Sequence, residues 1–414
     1  MSYLVAIAWC ALIAFLIVRA AREQQAFEEA APGGLSPEDR APFVAVVVPA
    51  RNEEARIGDC LDGLLGQRYP AERYRIAVVD DCSDDATADL VRARLERSDR
   101  LHLIESEELP NGWAGKPHAC FRGASSEAAA GAEWLCFVDA DTVAEPEFLA
   151  TIVASAHGRS AALLSFAPLQ ELRTFWERTF MPAGFLMLAF TQNMRRFGDA
   201  ASDDAAVNGQ CLLVRRDAYD AVGGHAAVAA EVCEDTALAR RMKRRGYGIA
   251  LLSAHAIVRT RLYDDFAGLR DGLGKNIVET LGGPHKTLGA VALAFVLALG
   301  APGLAVWAAA RGGPPLVALL GTFALLGVHL ATARRLQVPI GYAFLFPFGY
   351  AIGAYIALRA LVERSHRGVS WKGRTYRRLR LAEGEATGRG GTWNVAWNRS
   401  AVEGVGVVSA RDAP

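Results

Sequence analysis

The chain has 414 residues, with 45 lysines and arginines, 45 aspartates and glutamates, and 52% hydrophobic residues. The formal net charge of zero excludes the strongly basic balance of bulk nucleic-acid binders, so no nucleic-acid partner is expected. The hydrophobic content is high for a soluble protein and indicates partial embedding in a membrane. The seven cysteines are scattered and form no C-x-x-C pair, which argues against a disulfide framework or a zinc site.

An apolar run opens the chain. Tyr3 to Val18 carries no charge and is followed by Arg19 and Arg22. A secretory signal would have a charged segment before the run and a small-residue cleavage site after it, and neither is present. Residues 1–22 are therefore predicted to be an uncleaved transmembrane anchor, although the run is at the short end of the ~17–25 residues that span a bilayer.

From residue 43 the chain alternates between β-branched runs and segments with helical spacing. The runs FVAVVVPA, YRIAVVDD, LHLIES and WLCFVDAD predict four strands. The segments ARIGDCLDGLLGQ and PEFLATIVASA predict helices, as does the stretch from Asp85 to Arg97, and NGQCLLVRRDAYDAVGG predicts a strand, a short helix and a glycine stop. Strands that alternate with helices predict an α/β domain over residues 41–265, with a mostly parallel sheet and flanking helices.

Three long apolar runs follow an amphipathic connector at residues 266–286. They are Thr287–Ala310, Leu316–Ala333 and Pro339–Val362, and they predict two or three transmembrane helices within residues 287–362. A basic segment at residues 363–382 and a Gly-rich tail at 383–414, expected to be disordered, come next. Basic juxtamembrane sequence belongs on the cytoplasmic side, but one anchor and three full spans would put it outside. One of the three runs is therefore expected to be re-entrant or interfacial, and Pro347 makes the third run the first candidate.

Acidic clusters follow the predicted strands. The first strand leads into PARNEE, the second into DDCSDD and the fourth into Asp139-Ala140-Asp141, and a Glu234-Asp235 pair lies farther on at a helix start. Ligands of open parallel sheets bind beyond the carboxyl ends of the strands. A single such cluster is explained by helix capping, which is the role expected of Asp85 and Glu147, but four clusters in succession predict a shared site.

The Asp139-x-Asp141 pair predicts a metal site. Both residues follow an apolar strand, and the alternation of side chains along a strand sends them to the same side. Two adjacent carboxylates repel each other unless a cation lies between them. Mg²⁺ or Mn²⁺, bound by these carboxylates and by diphosphate oxygens, would supply that charge.

The motifs together resemble those of the inverting family 2 glycosyltransferases, which have a nucleotide-diphospho-sugar (GT-A-like) fold. The resemblance covers residues 43–265 and rests on PARNEE, VVDDCSDD, FVDADT and EVCEDTALARRMKRRGYGIALL, which occur in the family's order. More narrowly, GWAGKPHAC, VNGQCLLVRRDAYDAVGGH and VSWKGRTY are similar to membrane enzymes of the hopanoid-associated, carotenoid and ceramide glucosyltransferase-like kind.

The resemblance implies roles at matching positions. It implies that the nucleotide is lined by Pro49, Ala50, Asn52 and Glu53, with Asp81 accepting a hydrogen bond from the base. It implies further that Lys116 neutralises the diphosphate, that Asp139 contacts the ribose or the metal and that Asp141 holds the metal. Asp235 would be the general base, and Glu234, facing another direction on the helix, would hold the acceptor. A surface lysine and a charged helix N-terminus are the plainer explanations of Lys116 and of the Glu234-Asp235 pair.

One family motif is missing. Polymerising members carry Q-x-x-R-W after the base, whereas this chain has RLYDDFAGLRDGLGKN, so transfer of a single sugar is favoured over a polysaccharide product. Arg259, Arg261 and Lys275 could serve the diphosphate in its place or could be charges that flank a membrane span. His255 is expected to be structural. The segment from Phe180 to Phe190 is either a core helix or an interfacial helix that guides a lipid.

The sequence therefore predicts a multi-pass inner-membrane enzyme with a cytoplasmic catalytic domain. It would move one sugar, with inversion and with a divalent cation, from a UDP- or GDP-sugar to a hydroxyl of a lipid acceptor. A metal-dependent nucleotidyltransferase and a polysaccharide-forming glycosyltransferase are the alternatives. A transporter is disfavoured because its apolar spans would contain charged residues. A binding-only relative would be expected to lack Asp141 or Asp235, and both are present.

Overall fold

The computed structural model describes residues 2–25, 28–30, 40–157, 159–193, 197, 202, 205, 207–311, 316–366, 369–371, 374–378 and 393–396. The strands are β1 Val44–Ala50, β2 Tyr74–Asp80, β3 Leu101–Glu105, β4 Trp134–Val138, β5 Thr142–Ala144, β6 Ala161–Ala167, β7 Leu169–Gln170, β8 Cys211–Arg215, β9 Gly248–Ser253, β10 Val258–Thr260, β11 Val369–Trp371, β12 Arg374–Arg378 and β13 Trp393–Ala396. The helices are α1 Ser2–Gln25, α2 Ile57–Leu65, α3 Thr87–Leu95, α4 Gly115–Ala124, α5 Phe148–His157, α6 Phe175–Thr191, α7 Arg216–Ala221, α8 Glu234–Arg244, α9 Phe266–Thr280, α10 Pro284–Arg311, α11 Leu316–Arg335 and α12 Phe346–His366.

A seven-stranded sheet in the order β3-β2-β1-β4-β8-β6-β9 forms the centre of the α/β domain. The four strands predicted from residues 43–138 are adjacent and parallel, and β8 is antiparallel to both of its neighbours. A small sheet of β5, β10 and β7 lies beside it. The sheet is thus mostly parallel, as the alternation of strands and helices predicts, although the sequence patterns did not reveal β6 and β9.

The sheet separates two hydrophobic cores, because side chains alternate between the faces of a strand. Val44, Val46 and Val48 of β1 belong to the core under α2 and α5, and Ala45 and Val47 to the core under α4, α7 and α8. Helices cover both faces, which explains why β1 is apolar along its whole length.

The packing of α4 on β1 depends on a glycine. A Cβ at Gly123 would lie 2.3 Å from Val47 Cγ1, closer than two carbon atoms can approach. The backbone of α4 therefore lies directly on the sheet. This close approach holds the helix, and with it Lys116 in its first turn, at the carboxyl end of β1.

Helices cover all three apolar runs of the C-terminal region. By length and composition, Leu4–Gln24 and Ile340–Arg364 could each cross a membrane. A third span would result if Phe266–Thr280 and Pro284–Gly300, which are bent by 116° at a short break, formed one segment. The predicted anchor at residues 1–22 coincides with the first of these. The sharp bend lies before the first apolar run and not at Pro347.

The C-terminal predictions are only partly within the described residues. Strands β11, β12 and β13 form a small antiparallel sheet. The tail at 383–414, expected to be disordered, lies outside the described residues except for β13, which is regular. Of the basic segment at 363–382, the structure describes the end of α12, β11 and β12.

Candidate active site at the carboxyl edge of the sheet

Two turns at the carboxyl edge are joined by hydrogen bonds. After β1, the backbone N–H of Asn52 donates to Ser83 Oγ at 3.0 Å, and Asn52 Oδ1 accepts from the N–H of Asp84 at 3.0 Å. Asn52 adopts a left-handed backbone with φ of 52°, a conformation that asparagine tolerates better than most residues. The N–H of Glu53 donates to Thr87 Oγ1 at 2.8 Å. These bonds fix the turns that carry Glu53 and Asp81.

Asp85 directly precedes the N-cap position of α3, which is Ala86, so it is not itself the capping residue that the sequence predicts. Its carboxylate accepts from the N–H of Thr87 at 2.9 Å and from the N–H of Glu54 at 3.1 Å. Helix α3 therefore begins at Thr87, two residues later than the acidic run suggests. Asp85 braces the turn and does not enter the site.

Lys116 connects two acidic clusters that are far apart in sequence. Its Nζ lies 2.7 Å from Asp139 Oδ1 and 3.2 Å from Glu234 Oε1. Burial alone would lower the pKa of Lys116, but Asp139 and Glu234 outweigh it and hold the pKa well above its usual value. Lys116 is therefore a fixed cation, and not an ordinary surface lysine.

Asp141 lies next to Asp139 and Glu53. Its Oδ1 accepts from Thr260 Oγ1 at 3.2 Å, across the small sheet. Burial, followed by the charges of Asp139 and Glu53, raises the pKa of Asp141 to about 7. This carboxylate is thus poorly compensated by the described protein groups, and a cation beside it would be stabilised.

Asp235 begins α8 beside the loop that leads into β8. Its Oδ1 accepts from the N–H of Thr236 at 2.6 Å. A Cβ on Gly209 would lie 2.5 Å from Asp235 Oδ2, so the carboxylate rests directly on the glycine backbone. Burial, followed by the charge of Glu234, raises the pKa of Asp235 to about 6. A carboxylate with this pKa is suited to accept a proton near neutral pH.

These side chains line one cavity of about 770 Å³, within the ~300–1,000 Å³ of small-molecule sites. Of the residues that sequence predicts for the site, it includes Pro49, Ala50, Glu53, Asp81, Lys116, Asp139, Asp141 and Asp235. The structure thus brings together carboxylates from four separate segments. The individual roles assigned to them remain predictions.

Two predicted site residues do not line this cavity. Asn52 uses its side chain to brace the turn, and Glu234, whose side chain is 6% exposed, contacts Lys116. Asp235 and Glu234 thus face different surroundings, as neighbours on a helix should. The role of Glu234 in holding the acceptor stays a prediction, which its burial against Lys116 disfavours.

The three basic residues that could replace the missing Q-x-x-R-W motif have different surroundings in the structure. Arg259 pairs with Glu145 and Glu171, and Arg261 pairs with Asp264. Lys275, on α9, lines the cavity instead. His255, expected to be structural, also lines the cavity, where burial and then Arg335 lower its pKa.

A polar network in the wall of the cavity was not predicted. Asn208 Nδ2 and Gln170 Nε2 donate to Gln210 Oε1 at 3.1 Å and 3.0 Å, and Gln210 Nε2 donates to Thr260 Oγ1 at 3.2 Å. Thr260 in turn contacts Asp141. The one available signal was the polar Asn208-Gly209-Gln210 sequence immediately before a buried strand.

The side chains of the cavity provide only part of the ligands that a hard divalent cation needs. Asp139 and Asp141 offer carboxylate oxygens, the ligands that Mg²⁺ and Mn²⁺ prefer. Within the described ranges, no three His, Cys, Asp or Glu side chains gather into a ready metal site. Burial and the charges of Asp139 and Glu53 raise the pKa of Asp141 in spite of the nearby Lys116, so a further cation beside this carboxylate would be stabilised. The residues therefore fit a cation whose remaining ligands come from elsewhere.

A mostly parallel α/β sheet with an acidic cavity at its carboxyl edge defines an enzyme of the GT-A-like class. The structure is similar to that of a mannosyltransferase from Pyrobaculum calidifontis in complex with GDP-Man and Mn²⁺, with a TM-score of 0.54, 21% identity and coverage of 86% of this chain and 99% of the other. This similarity concerns the fold alone.

The model of the family described as "Glycosyltransferase like family 2" matches residues 41–270, more than half of the chain. The chain therefore belongs to the family 2 glycosyltransferases. It is 28% identical over 244 residues to the 4,4'-diaponeurosporenoate glycosyltransferase of Staphylococcus aureus (strain USA300), covering 58% of this chain and 62% of the relative. The protein of strain bovine RF122 is 27% identical over 255 residues, covering 60% and 65%. The match spans less than two thirds of these relatives.

Proposed function

We propose that this protein transfers a single sugar, with inversion, from a nucleotide-diphospho-sugar to a hydroxyl of a lipid acceptor at a membrane. The catalytic domain would face the cytoplasm, and a divalent cation would assist. The one observation that carries this proposal is the composition of the cavity. The acidic residues at the strand ends and the ends of long apolar helices line the same space.

The membrane-proximal part of the cavity supports a lipid acceptor. It is lined by Ala20 of α1, Leu186 and Ala189 of α6, Thr332 of α11, and Leu336 directly after α11. Apolar side chains in a cavity otherwise rich in carboxylates suit a molecule with a polar head and an apolar body. The Staphylococcus aureus relative named above acts on a carotenoid acid, which is consistent with an apolar acceptor. Hopanoid, carotenoid, sphingolipid and glycerolipid acceptors are all compatible with this lining.

The donor would bind at the strand ends. Pro49, Ala50 and Glu53 lie where β1 ends, and Asp81 where β2 ends, so these residues would hold the nucleotide, with Asn52 fixing the turn. Lys116 would neutralise the diphosphate as charge develops on the leaving group. Lys116 is already paired with Asp139 and Glu234. Its ammonium is therefore held in place and does not need to be ordered by the donor.

Asp139 and Asp141 would hold the divalent cation, with Asp139 also near the ribose. Such a cation supplies Lewis-acid stabilisation of the leaving diphosphate. The diphosphate oxygens would complete the ligand set, since the described side chains do not provide one. The protein's own contribution is to keep Asp141 oriented through Thr260 and the network of Gln210.

Asp235 would act as the general base. Its carboxylate accepts the proton of the acceptor hydroxyl while that oxygen bonds to the anomeric carbon. The bond from the anomeric carbon to the diphosphate oxygen breaks, and the nucleoside diphosphate leaves with the electron pair. The attack occurs opposite the leaving group, so the configuration inverts. A base of this kind contributes on the order of 10²–10⁴ in rate.

The test uses purified full-length protein in detergent with Mn²⁺ and a panel of UDP- and GDP-sugars. Nucleoside diphosphate release is measured with and without a membrane lipid extract. We expect release with one donor that rises when the extract is present, and a loss of that rise in Asp235→Asn. Asp89→Asn, on exposed α3, is the matched control and should behave as wild type. Lipid-independent release unchanged by Asp235→Asn would contradict the proposal.

A further inference from the structure

An exposed apolar stripe runs along α12 and begins in the 3₁₀ helix Ile340–Leu345 that directly precedes it. Phe344, Phe348, Tyr355, Leu358 and Val362 are between 38% and 66% exposed. Their spacing, with exposed Ala351 between them, alternates between four and three residues, which places all of them on one face of a helix. Large apolar side chains arranged this way need a nonaqueous partner along the full length of the helix.

The opposite face of α12 is packed against α6 and α9, and its residues Tyr350, Ala354 and Ala357 also share a buried cluster with residues of α1, α10 and α11. A Cβ at Gly349 would lie 2.5 Å from the carbonyl oxygen of Thr179, so α12 touches the backbone of α6. Farther along, Ile356 belongs to a buried cluster with Phe180 of α6 and Leu269 of α9. Helices α6 and α9 are the same helices whose residues line the donor cavity, among them Leu186 and Lys275.

Both ends of α12 are attached to these two helices. Before its first turn, the Tyr342 ring lies 5.9 Å from the Phe175 ring at the beginning of α6. In its last turns, Arg359 pairs with Asp271 at 2.7 Å, and Arg364 pairs with Glu279, both on α9. A helix of this length extends about 30 Å, so the attachments hold it along nearly its whole length.

These attachments are incompatible with a span. If α12 crossed the bilayer, α9 would have to run through the hydrocarbon beside it, since it contacts the second half of α12. Helix α9 contains Arg270, Asp271, Lys275 and Glu279, and burying such groups in lipid costs several kcal/mol. The apolar composition of Ile340–Arg364 permits a span, but the ion pairs that join its last turns to α9 argue against one.

We infer that α12 lies in the plane of the membrane surface, with its exposed stripe inserted among the lipids of the leaflet on the catalytic side. Residues beyond His366 then stay on the catalytic side, where a basic segment is attracted to anionic lipid headgroups. This also resolves the span count, because the third apolar run does not cross. The membrane surface would lie directly against α6 and α9, and a lipid would reach the cavity from the leaflet below them.

The test measures the membrane depth of spin labels in the full chain, reconstituted in vesicles of phosphatidylcholine and phosphatidylglycerol. Single cysteines replace Phe348, Tyr355 and Val362 in a Cys82→Ser parent, because Cys82 is the exposed native cysteine. Exposed residues of α1 at the same seven-residue spacing, Leu4, Ala11 and Val18, form the matched set. Lipids labelled at known acyl positions calibrate depth, so α12 is measured independently of α1.

A helix perpendicular to the membrane separates labels fourteen residues apart by about 21 Å along the bilayer normal. We expect the three labels of α12 to lie at one shallow depth within the lipid, and the labels of α1 to pass through the bilayer centre. A C-terminal reporter should be accessible from the catalytic side. A depth profile across the bilayer for α12, or labels in contact with water and not lipid, would overturn the inference. Neither outcome depends on the proposed reaction.

Discussion

The proposed general base, Asp235, offers the sharpest perturbation of this site. Replacement of Asp235 by asparagine keeps the size of the side chain and its contact with Gly209 but removes the proton acceptor. The expected loss in kcat/KM is about 10²–10⁴-fold, the usual contribution of a positioned base. Because Asp235 does not reach the core of the sheet, we expect the thermal unfolding midpoint to change little.

The pH dependence follows from the environment of Asp235. Burial and the charge of Glu234 raise its pKa to about 6. The active form is the carboxylate, so activity should be full above this pKa and fall as the pH drops through it. With a pKa of 6, about nine tenths of the sites are ionised at pH 7 and about one tenth at pH 5. The rate under saturating donor and Mn²⁺ should therefore fall about tenfold between these pH values.

Glu234 provides a second, independent check. The substitution Glu234→Gln removes the charge that, after burial, contributes most to the raised pKa of Asp235. The midpoint of the acid limb should then shift to lower pH, whereas Asp89→Asn should leave it in place. The assay is initial-rate nucleoside diphosphate release from pH 4.5 to 8. If Asp235→Asn retains an acid limb with the wild-type midpoint, another group is responsible and the assignment of the base is wrong.

Three further predictions concern the surroundings of the base. Gly209→Ala should reduce kcat by tenfold or more with little change in donor KM, because a Cβ there would displace the Asp235 carboxylate. Steady-state kinetics measures kcat and KM separately, and an effect on KM alone would contradict the prediction. Lys116→Met should weaken the binding of nucleoside diphosphate measured by calorimetry, and unchanged binding would remove Lys116 from the diphosphate site. The substitution should also lower the free energy of unfolding by about 2–3 kcal/mol, which is below the ~3–5 kcal/mol for a fully buried pair because the lysine is partly exposed. Asp141 has a pKa of about 7 in the folded state, above the usual 3.8. The folded state therefore binds this proton more tightly than the unfolded state, and the metal-free protein should become more stable as the pH falls through 7. Melting temperatures at pH 8 and pH 5.5 should differ less in Asp141→Asn than in wild type.

Much of the fold was readable from the sequence because its signals are local. A strand buried on both faces must be apolar throughout, so β1, β2 and β4 stand out as continuous runs. Parallel neighbours end at the same edge of the sheet, so the residues that follow them, such as Asp81 and Asp139, had to lie near one another. Strands β6 and β9 were missed because AALLSFA and GIALLS contain a single β-branched residue, Ile249, and such runs also suit buried helices.

The amino-acid sequence by itself therefore determined the class of fold, the edge of the sheet that carries the site and most of the carboxylates in it. Only the tertiary structure decided how their charges are balanced and how the long apolar helices meet the cavity. Lys116 joins Asp139 and Glu234, and Thr260 reaches Asp141 across 119 positions of the chain. Contacts at such separations leave no periodic trace in the sequence, because each partner is chosen by the packing of other elements. The apolar composition of α12 suits a span and a surface helix equally, and only the ion pairs at its end distinguish the two.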